Sequence, residues 1–307
     1  MTENSLPTVS RIYRNHHMDS THWNAFSPRD GDVIVVSPAK SGTTWVQWIV
    51  LKLLLPHDSR ALLDVAPWLD WRPDPLEDVL SLLEAQDHRR SIKTHLPLDG
   101  LRYFPQVRYV VVGRDGRDAA LSLWNHYGNY SDEMYDSLNR YEESPFPRRP
   151  ETFQEFWANW VSKGWFDWEQ DGYPFGSHLH VIQSWWDFRH LPNILFVHFA
   201  DLLADLEGEI GRVADHIGVS LSSAGRSEIA RELKFDSMKK ASDKYAPLLE
   251  GEFTGGQKAF FHKGKNGRWK DVLTEQEVAR YEAAVARVLS PDCASWLERG
   301  RLAAESG

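Results

Sequence analysis

Three short β-branched runs constrain this chain more than any other feature. Asp32–Ser37 (DVIVVS), Arg108–Gly113 (RYVVVG) and Ile194–His198 (ILFVH) are close to continuously apolar rather than alternating. A strand that is apolar on both sides is covered on both sides, which is the condition of a parallel sheet between helix layers. Helical patterns separate the runs. One spans Thr43–Leu55 and stops at Pro56. Another spans Asp74–Gln86, with Asp74 as N-cap, Pro75 in the first turn and Glu77 three residues on. Ala119, Ala120, Leu123 and Trp124 give helical spacing after Gly113. Phe153–Trp160, His178–Phe188, residues 201–217 and 221–232, and a last stretch over Thr274–Arg301 complete the set. Ser91–Lys93 is a fourth, shorter strand candidate. The expectation is one α/β domain over residues 21–303, with a central, mostly parallel sheet, helices on both faces and a P-loop-like anion-binding loop. Residues 1–20, polar and poor in large apolar groups, read as a loosely held segment. Gly128–Pro150 lacks periodicity and reads as a long excursion, of the kind that often has a functional task.

The first strand runs directly into PAKSGTTW. A loop between a strand end and a helix N-terminus presents unpaired backbone N–H groups, and the helix dipole adds to their pull on an anion. Gly42 lets the backbone close around the ligand, Lys40 adds a charge, and Thr43 and Thr44 add hydroxyl donors. A surface turn with incidental Lys and Thr would look similar. The order of residues excludes the triphosphate-binding G-x-x-x-x-G-K-[ST] pattern, because here Lys precedes Gly. Arg114 follows the RYVVVG run as Lys40 follows DVIVVS, so in a parallel sheet both sit at strand carboxyl ends, where ligands bind. Ser122 lies eight residues further, on the same helix. Read alone, Arg114 could equally be a salt-bridge residue beside Asp115 and Asp118. A third cationic stretch, FFHKGKNGRWKD at Phe260–Asp271, contains Lys263, Gly264, Lys265, Gly267, Arg268 and Lys270, and is either a solvated charge run or a grip on a second phosphate.

Net charge is -9, so an anion must be held locally, and nothing favours nucleic acid or an anionic membrane surface. The single Cys excludes a disulfide framework. No metal site is expected, since His178 and His180 have no third ligand at suitable spacing. The most apolar run, Trp45–Leu55, is too short to span a bilayer, and no secretory signal opens the chain. A cytoplasmic protein without stable membrane insertion is the expectation. In IKTHLP, Lys93 lies two residues before His95. A cation nearby keeps an imidazole neutral, able to accept a proton near pH 7. His88, His178, His180 and His198 are rivals for such a role.

Together these blocks strongly resemble the cytosolic-type sulfotransferase family, whose donor is 3'-phosphoadenosine 5'-phosphosulfate. PAKSGTTW is similar to the family's loop for the 5'-phosphosulfate. VVVGRDGRDAALSLWNHY is similar to its block for the 3'-phosphate, and FFHKGKNGRWKDVLT to its C-terminal motif. KTHLP looks like the segment that carries the catalytic His. The blocks span Val35–Thr274. The resemblance implies that Lys40, Ser41, Gly42, Thr43 and Thr44 bind the 5' side and that Trp45 stacks on adenine. It assigns the 3'-phosphate to Arg114, Ser122, Lys263 and Gly264, and places Phe235 and Met238 near adenine. It implies His95 as base, Lys93 beside the transferred group, and a restraint of Lys40 by Ser122. The product would be adenosine 3',5'-bisphosphate, and no metal would be needed, because Lys, Arg and backbone N–H groups supply the positive field. His262 stands at a usual Arg, Phe199 at a usual Tyr, and Leu233 at a usual Thr. The family's dimer stretch is not reproduced, with Glu275 and Ala279 at two of its positions, so no oligomeric state is inferred. Gly128–Pro150 and Gly164–Gly176 are expected to shape a pocket for a small apolar, aromatic or lipid-like acceptor. An ATP-dependent small-molecule kinase and a non-catalytic nucleotide-binding protein are the alternatives.

Overall fold

The four apolar runs form one sheet. In the computed structural model, which describes residues 5–141, 143–247 and 251–305, β1 (Val33–Val36), β2 (Ser91–Thr94), β3 (Arg108–Gly113) and β4 (Ile194–His198) lie in the order β2-β1-β3-β4. All three pairings are parallel. Ile34 and Val36 enter one core with Tyr109 and Val111, whereas Val33 and Val35 enter a second core with Val110 and Val112. Alternate residues of one strand thus feed two cores, which is why the runs are apolar throughout.

Helices cover each face. Thr43–Leu54 and Leu206–Ile217 pack on the second core. Gly116–Tyr127, Phe153–Trp160 and His178–Trp186 pack on the first. The first core also takes most of the Trp, with Trp23, Trp157, Trp160 and Trp185 almost fully buried.

Several boundaries differ from expectation, each for a local reason. The helix expected from Asp74 begins at Leu76, because Pro75 holds extended backbone at the cap position and no side chain caps it. The helix expected over 201–217 is two, Phe199–Ala204 and Leu206–Ile217. Asp205 leaves helical backbone between them and accepts from Gly208 N through Oδ1 at 2.9 Å. The C-terminal stretch also divides. Glu275–Val288 starts with a Thr274–Glu277 capping box, and Pro291 then opens Pro291–Arg299. The excursion at 128–150 contains a helix, Asp132–Asn139, capped by Ser131 and burying Met134, Tyr135 and Leu138. Glu142 of that excursion lies outside the described residues.

The N-terminal segment departs most. Residues 1–4 lie outside the described residues, but residues 13–20 are not loosely held. Tyr13, Asn15, His17, Met18 and Ser20 are all buried. Polar side chains do the tethering there. Asn15 Oδ1 accepts from His17 N and Met18 N, Asn15 Nδ2 donates to Phe175 O, and Tyr13 N donates to Ser20 Oγ. A polar composition here means satisfied backbone groups, not solvent.

Candidate active site

Every strand of the sheet points its carboxyl end at the same region. β1 delivers Ser37 and the loop to Gly42, β2 delivers His95, β3 delivers Arg114, and β4 delivers Phe199. A cavity of about 490 Å³ opens there. Every residue that the resemblance assigned to the donor or to the base lines it, except Ser41, whereas Lys265, Gly267 and Lys270 of the basic loop do not. Ser41 is fully buried, and its Oγ has no partner among the described residues.

The loop after β1 is shaped for close approach. Gly42, at φ +107°, is the N-cap of the Thr43–Leu54 helix, and a Cβ there would come within 2.9 Å of the Phe199 ring. Lys40 is the one described non-glycine residue with positive φ, at 62°. That conformation costs roughly 1 kcal/mol or more for a side-chain-bearing residue, so something must hold it. Arg114 does, donating through Nη1 to Lys40 O at 3.2 Å. Lys40 Nζ lies 4.5 Å over the Phe260 ring and 3.1 Å from His126 Nδ1. The resemblance assigned the restraint of Lys40 to Ser122. In this structure the contact is instead with His126, one helical turn beyond Ser122 on the same face. Burial, with Lys93 and Arg114 nearby, brings Lys40 down to about 7.

Arg114 joins two loops. Besides Lys40 O, it donates through Nη2 to Lys265 O at 3.0 Å and through Nε to Asn266 Oδ1 at 3.2 Å. The basic C-terminal loop is therefore not a free charge run. Asp118 fixes its far end by accepting from Gly267 N and Arg268 N at 2.6 and 3.0 Å. His262 Nε2 accepts from Arg268 Nη2 at 3.3 Å, and its own pKa is lowered by burial and by Arg268, Lys263 and the other cations around it. Gly264 has φ +59°, and a Cβ there would collide with the Phe235 ring. Trp45 lies between Phe199 and Phe235, with ring centroids 5.6 and 6.3 Å away, and its buried Nε1 has no partner among the described residues. Cations, a glycine-lined loop and unpaired donors beside aromatic rings are what a phosphorylated nucleotide requires.

Strand register places His95. Val36 pairs with Thr94, so the next residues, Ser37 and His95, are neighbours. His95 Nδ1 lies 2.6 Å from Ser37 O, and a carbonyl can only accept, so Nδ1 carries the proton and Nε2 the lone pair. Burial, followed by the charge of Lys93, holds the His95 pKa well below the usual histidine value. Lys93 Nζ lies 4.0 Å over the Trp68 ring, and burial lowers it to about 8, against the pull of Asp70 and Glu252. Trp68 meets His95 edge-on at 4.7 Å, and its indole N–H is bound by Asp70. The rival histidines have other work. His178 bonds Arg114 O, His180 bonds Asp99, His198 caps the Phe199–Ala204 helix, and His88 bonds Arg89 O near the surface.

Beyond His95 the cavity continues between aromatic walls. Tyr130 and Met134 come from the 128–150 excursion and Phe175 from 164–176, as expected. Trp165, Phe166 and Trp168 of that second stretch pack against His16 and Tyr13 instead. Sequence reasoning missed His17, Trp68, Trp71, His126 and Tyr127, all on the cavity wall. His126 had one available signal, its spacing of four from Ser122; the others had none. Among the described residues no group of three or more His, Cys, Asp or Glu is placed to hold a metal ion, and no helix is long and apolar enough to cross a membrane.

Residues 30–291 match the sulfotransferase domain family. Glycolipid sulfotransferases of Mycobacterium bovis and Mycobacterium tuberculosis are each 34% identical, over 96% of this chain and 96% of their own length. Sulfotransferase 1E1 of Cavia porcellus is 26% identical over 81% of this chain and 80% of its own. Among solved structures, retinol dehydratase in complex with retinol and adenosine 3',5'-bisphosphate superposes with a TM-score of 0.66 at 25% identity. That match covers 88% of this chain and 84% of the other. A mouse sulfotransferase shares the fold at a TM-score of 0.68 and 18% identity, over 90% and 91%. The chain therefore belongs to the sulfotransferase domain family and is an enzyme that moves a sulfuryl group from 3'-phosphoadenosine 5'-phosphosulfate to a hydroxyl or amine.

Proposed function

We propose that His95 is the base of this transfer and that the acceptor is a hydroxyl on a small apolar, aromatic or lipid-like molecule lying against Trp68, Phe175 and Tyr130. The carrying observation is the tautomer of His95. With Nδ1 donating to Ser37 O, Nε2 is free to take the acceptor's proton as its oxygen attacks sulfur in line. Lys40 and Lys93 flank that position and would stabilise charge on the leaving phosphate and on the transferred group. On the donor side, Gly42, Thr43 and Thr44 would hold the 5' end, and Arg114, Ser122, Lys263 and Gly264 the 3'-phosphate. Trp45, Phe235 and Met238 would border adenine, with Phe199 and His262 completing the wall. Ser41 would contribute its backbone N–H. Names carried by the mycobacterial relatives support the lipid-linked end of the acceptor range. A screen of phenols, fatty alcohols and glycosides with the sulfated donor tests the acceptor class. Transfer only to polar, non-cyclic alcohols would overturn it.

Two further outcomes follow. Lys40, at about 7 in the free protein, must be protonated to hold an anion. Bound anion raises that pKa, so at pH 8 binding of adenosine 3',5'-bisphosphate is expected to take up close to one proton. Affinity then falls as pH rises through 7 and above. Calorimetry in buffers of differing ionisation enthalpy reads the uptake directly, and Lys40→Met should abolish it. At Gly264, alanine would be strained at φ +59° and would collide with Phe235. Gly264→Ala is expected to weaken the bisphosphate at least about tenfold, measured by titration with ATP as the comparison nucleotide.

A further inference from the structure

His17 is a polar group on the cavity wall that the transfer described above does not use. It is 1% exposed, and neither ring nitrogen has a hydrogen-bond partner among the described residues. Tyr127, 6.3 Å away between ring centroids, has its hydroxyl buried and unpartnered in the same way. Both residues line the cavity. Polar atoms buried without partners are rare in folded proteins, because each forfeits its bonds to water. Two beside one another in a ligand cavity call for a ligand.

The backbone is arranged to hold His17 there. Asn15 Oδ1 accepts from His17 N at 2.9 Å, and Arg72 N donates to His17 O at 2.9 Å. Arg72 Nη1 also bonds Asn15 O, and Asn15 Nδ2 bonds Phe175 O. The imidazole is thereby set among rings, 4.7 Å from Phe146, 4.8 Å from Phe175 and 5.7 Å from Trp71. For packing alone, a phenylalanine would serve without the unpaired nitrogens. Phe175 also touches His95, at 5.5 Å, so His17 and His95 flank a single ring. Burial and the nearby charges of His16 and Lys93 keep His17 neutral. A neutral imidazole offers one donor and one acceptor, and so does a phenol. A hydroxyl is a neutral group that satisfies both.

We propose that His17 and Tyr127 form a second polar subsite, which binds a hydroxyl neighbouring the one that is sulfated, so that the acceptor is a polyol such as a sugar ring. The proposal rests on the reading of His95 as base. The Trp68–Trp71 pair, with centroids 4.6 Å apart, would supply the apolar surface on which the carbon face of such a ring lies.

The test is transfer by the full chain to matched acceptors, cyclohexanol against cyclohexane-1,2-diol and 1-octanol against octyl glucoside, read as ratios of kcat/KM. Wild type is expected to favour the polyol of each pair. His17→Phe and Tyr127→Phe should each reduce that ratio at least about tenfold, and His17→Gln, which keeps a donor and an acceptor, should retain most of it. Binding of adenosine 3',5'-bisphosphate within about threefold of wild type shows that a variant is folded. Should His17→Phe fail that check, the near-isosteric Tyr127→Phe decides. An unchanged ratio in a folded variant overturns the proposal, as does an equal loss for both members of a pair. Equal transfer to both members by wild type overturns the subsite while leaving the reaction standing. No transfer by wild type to any hydroxyl overturns the reading of the site as well.

Discussion

His95→Ala is expected to lower turnover about a thousandfold while leaving affinity for adenosine 3',5'-bisphosphate within about threefold. General-base contributions run from about a hundredfold to ten-thousandfold, and three of the other histidines are already engaged. His126 is engaged by Lys40, and His178 and His198 are bonded to backbone. A thousandfold loss is about 4 kcal/mol of transition-state stabilisation. Single-turnover rates and calorimetry on the same preparation separate the two quantities. Undiminished turnover refutes the base assignment. Loss of nucleotide binding in parallel would mean that His95 acts by holding the β1 loop through Ser37 O. The pH profile gives an independent reading. A base must be unprotonated, so activity falls as pH drops through its pKa, and His95 is held well below 6.5. The cations must be protonated, so activity also falls as pH rises past Lys40, near 7, and then Lys93, near 8. The profile of kcat/KM is thus expected to be flat from about pH 6.5 down to the His95 limb, with its alkaline limb set by lysine.

The sheet was legible because the signal was local. Val33–Val36 must be apolar on both faces, and β1, β3 and β4 each carry their whole pattern in four to six residues. The helix breaks were harder. Asp205 interrupts a pattern whose apolar residues keep the same period on both sides of it, so periodicity alone joined two helices. Asp132–Asn139 is short and half polar, and its burial depends on partners from distant chain segments. The N-terminal turn shows the same limit. Whether Asn15 and Ser20 face water or backbone is decided by what packs on them, and composition carries no record of that.

The site divides along similar lines. An anion grip needs glycine, cation and hydroxyl in one short loop, so Lys40–Thr44 and the 260–270 loop announced themselves. His95 was distinguished by resemblance and by its place at a strand end, and the parallel register with Val36 gives the physical reason it sits beside Ser37. The acceptor wall was not legible. His17, Trp68, Trp71 and Tyr127 come from three separate stretches, and each is unremarkable in its own neighbourhood. Phe199 illustrates a departure that only the structure explains. With no hydroxyl, its ring packs on Gly42 and Trp45 and carries the Arg114 guanidinium 4.2 Å above it.

Arg114→Ala is expected to weaken adenosine 3',5'-bisphosphate by about a hundredfold or more, and adenosine 5'-monophosphate by much less. The side chain is 5% exposed and its three nitrogens are all used, on Lys40 O, Lys265 O and Asn266 Oδ1. Truncation removes one buried charge and leaves two carbonyls without their donor, a combination worth about 2–5 kcal/mol when a charged, hydrogen-bonded group is lost. Two roles are combined in that figure, and the choice of nucleotide separates them. Holding Lys40 in left-handed backbone affects the 5' end of any adenine nucleotide, whereas direct contact with a 3'-phosphate affects only nucleotides that carry one. Arg114→Lys sharpens the distinction. It keeps the charge but loses the planar fork that reaches both loops at once. If attraction to the 3'-phosphate dominates, lysine should restore much of the bisphosphate affinity. If bridging of the loops dominates, lysine should bind little better than alanine, and both variants should lose the two nucleotides alike. The geometry favours a mixed result, with partial recovery in the lysine variant, because the guanidinium that faces the cavity is the same one that ties the strand β1 loop to the C-terminal loop.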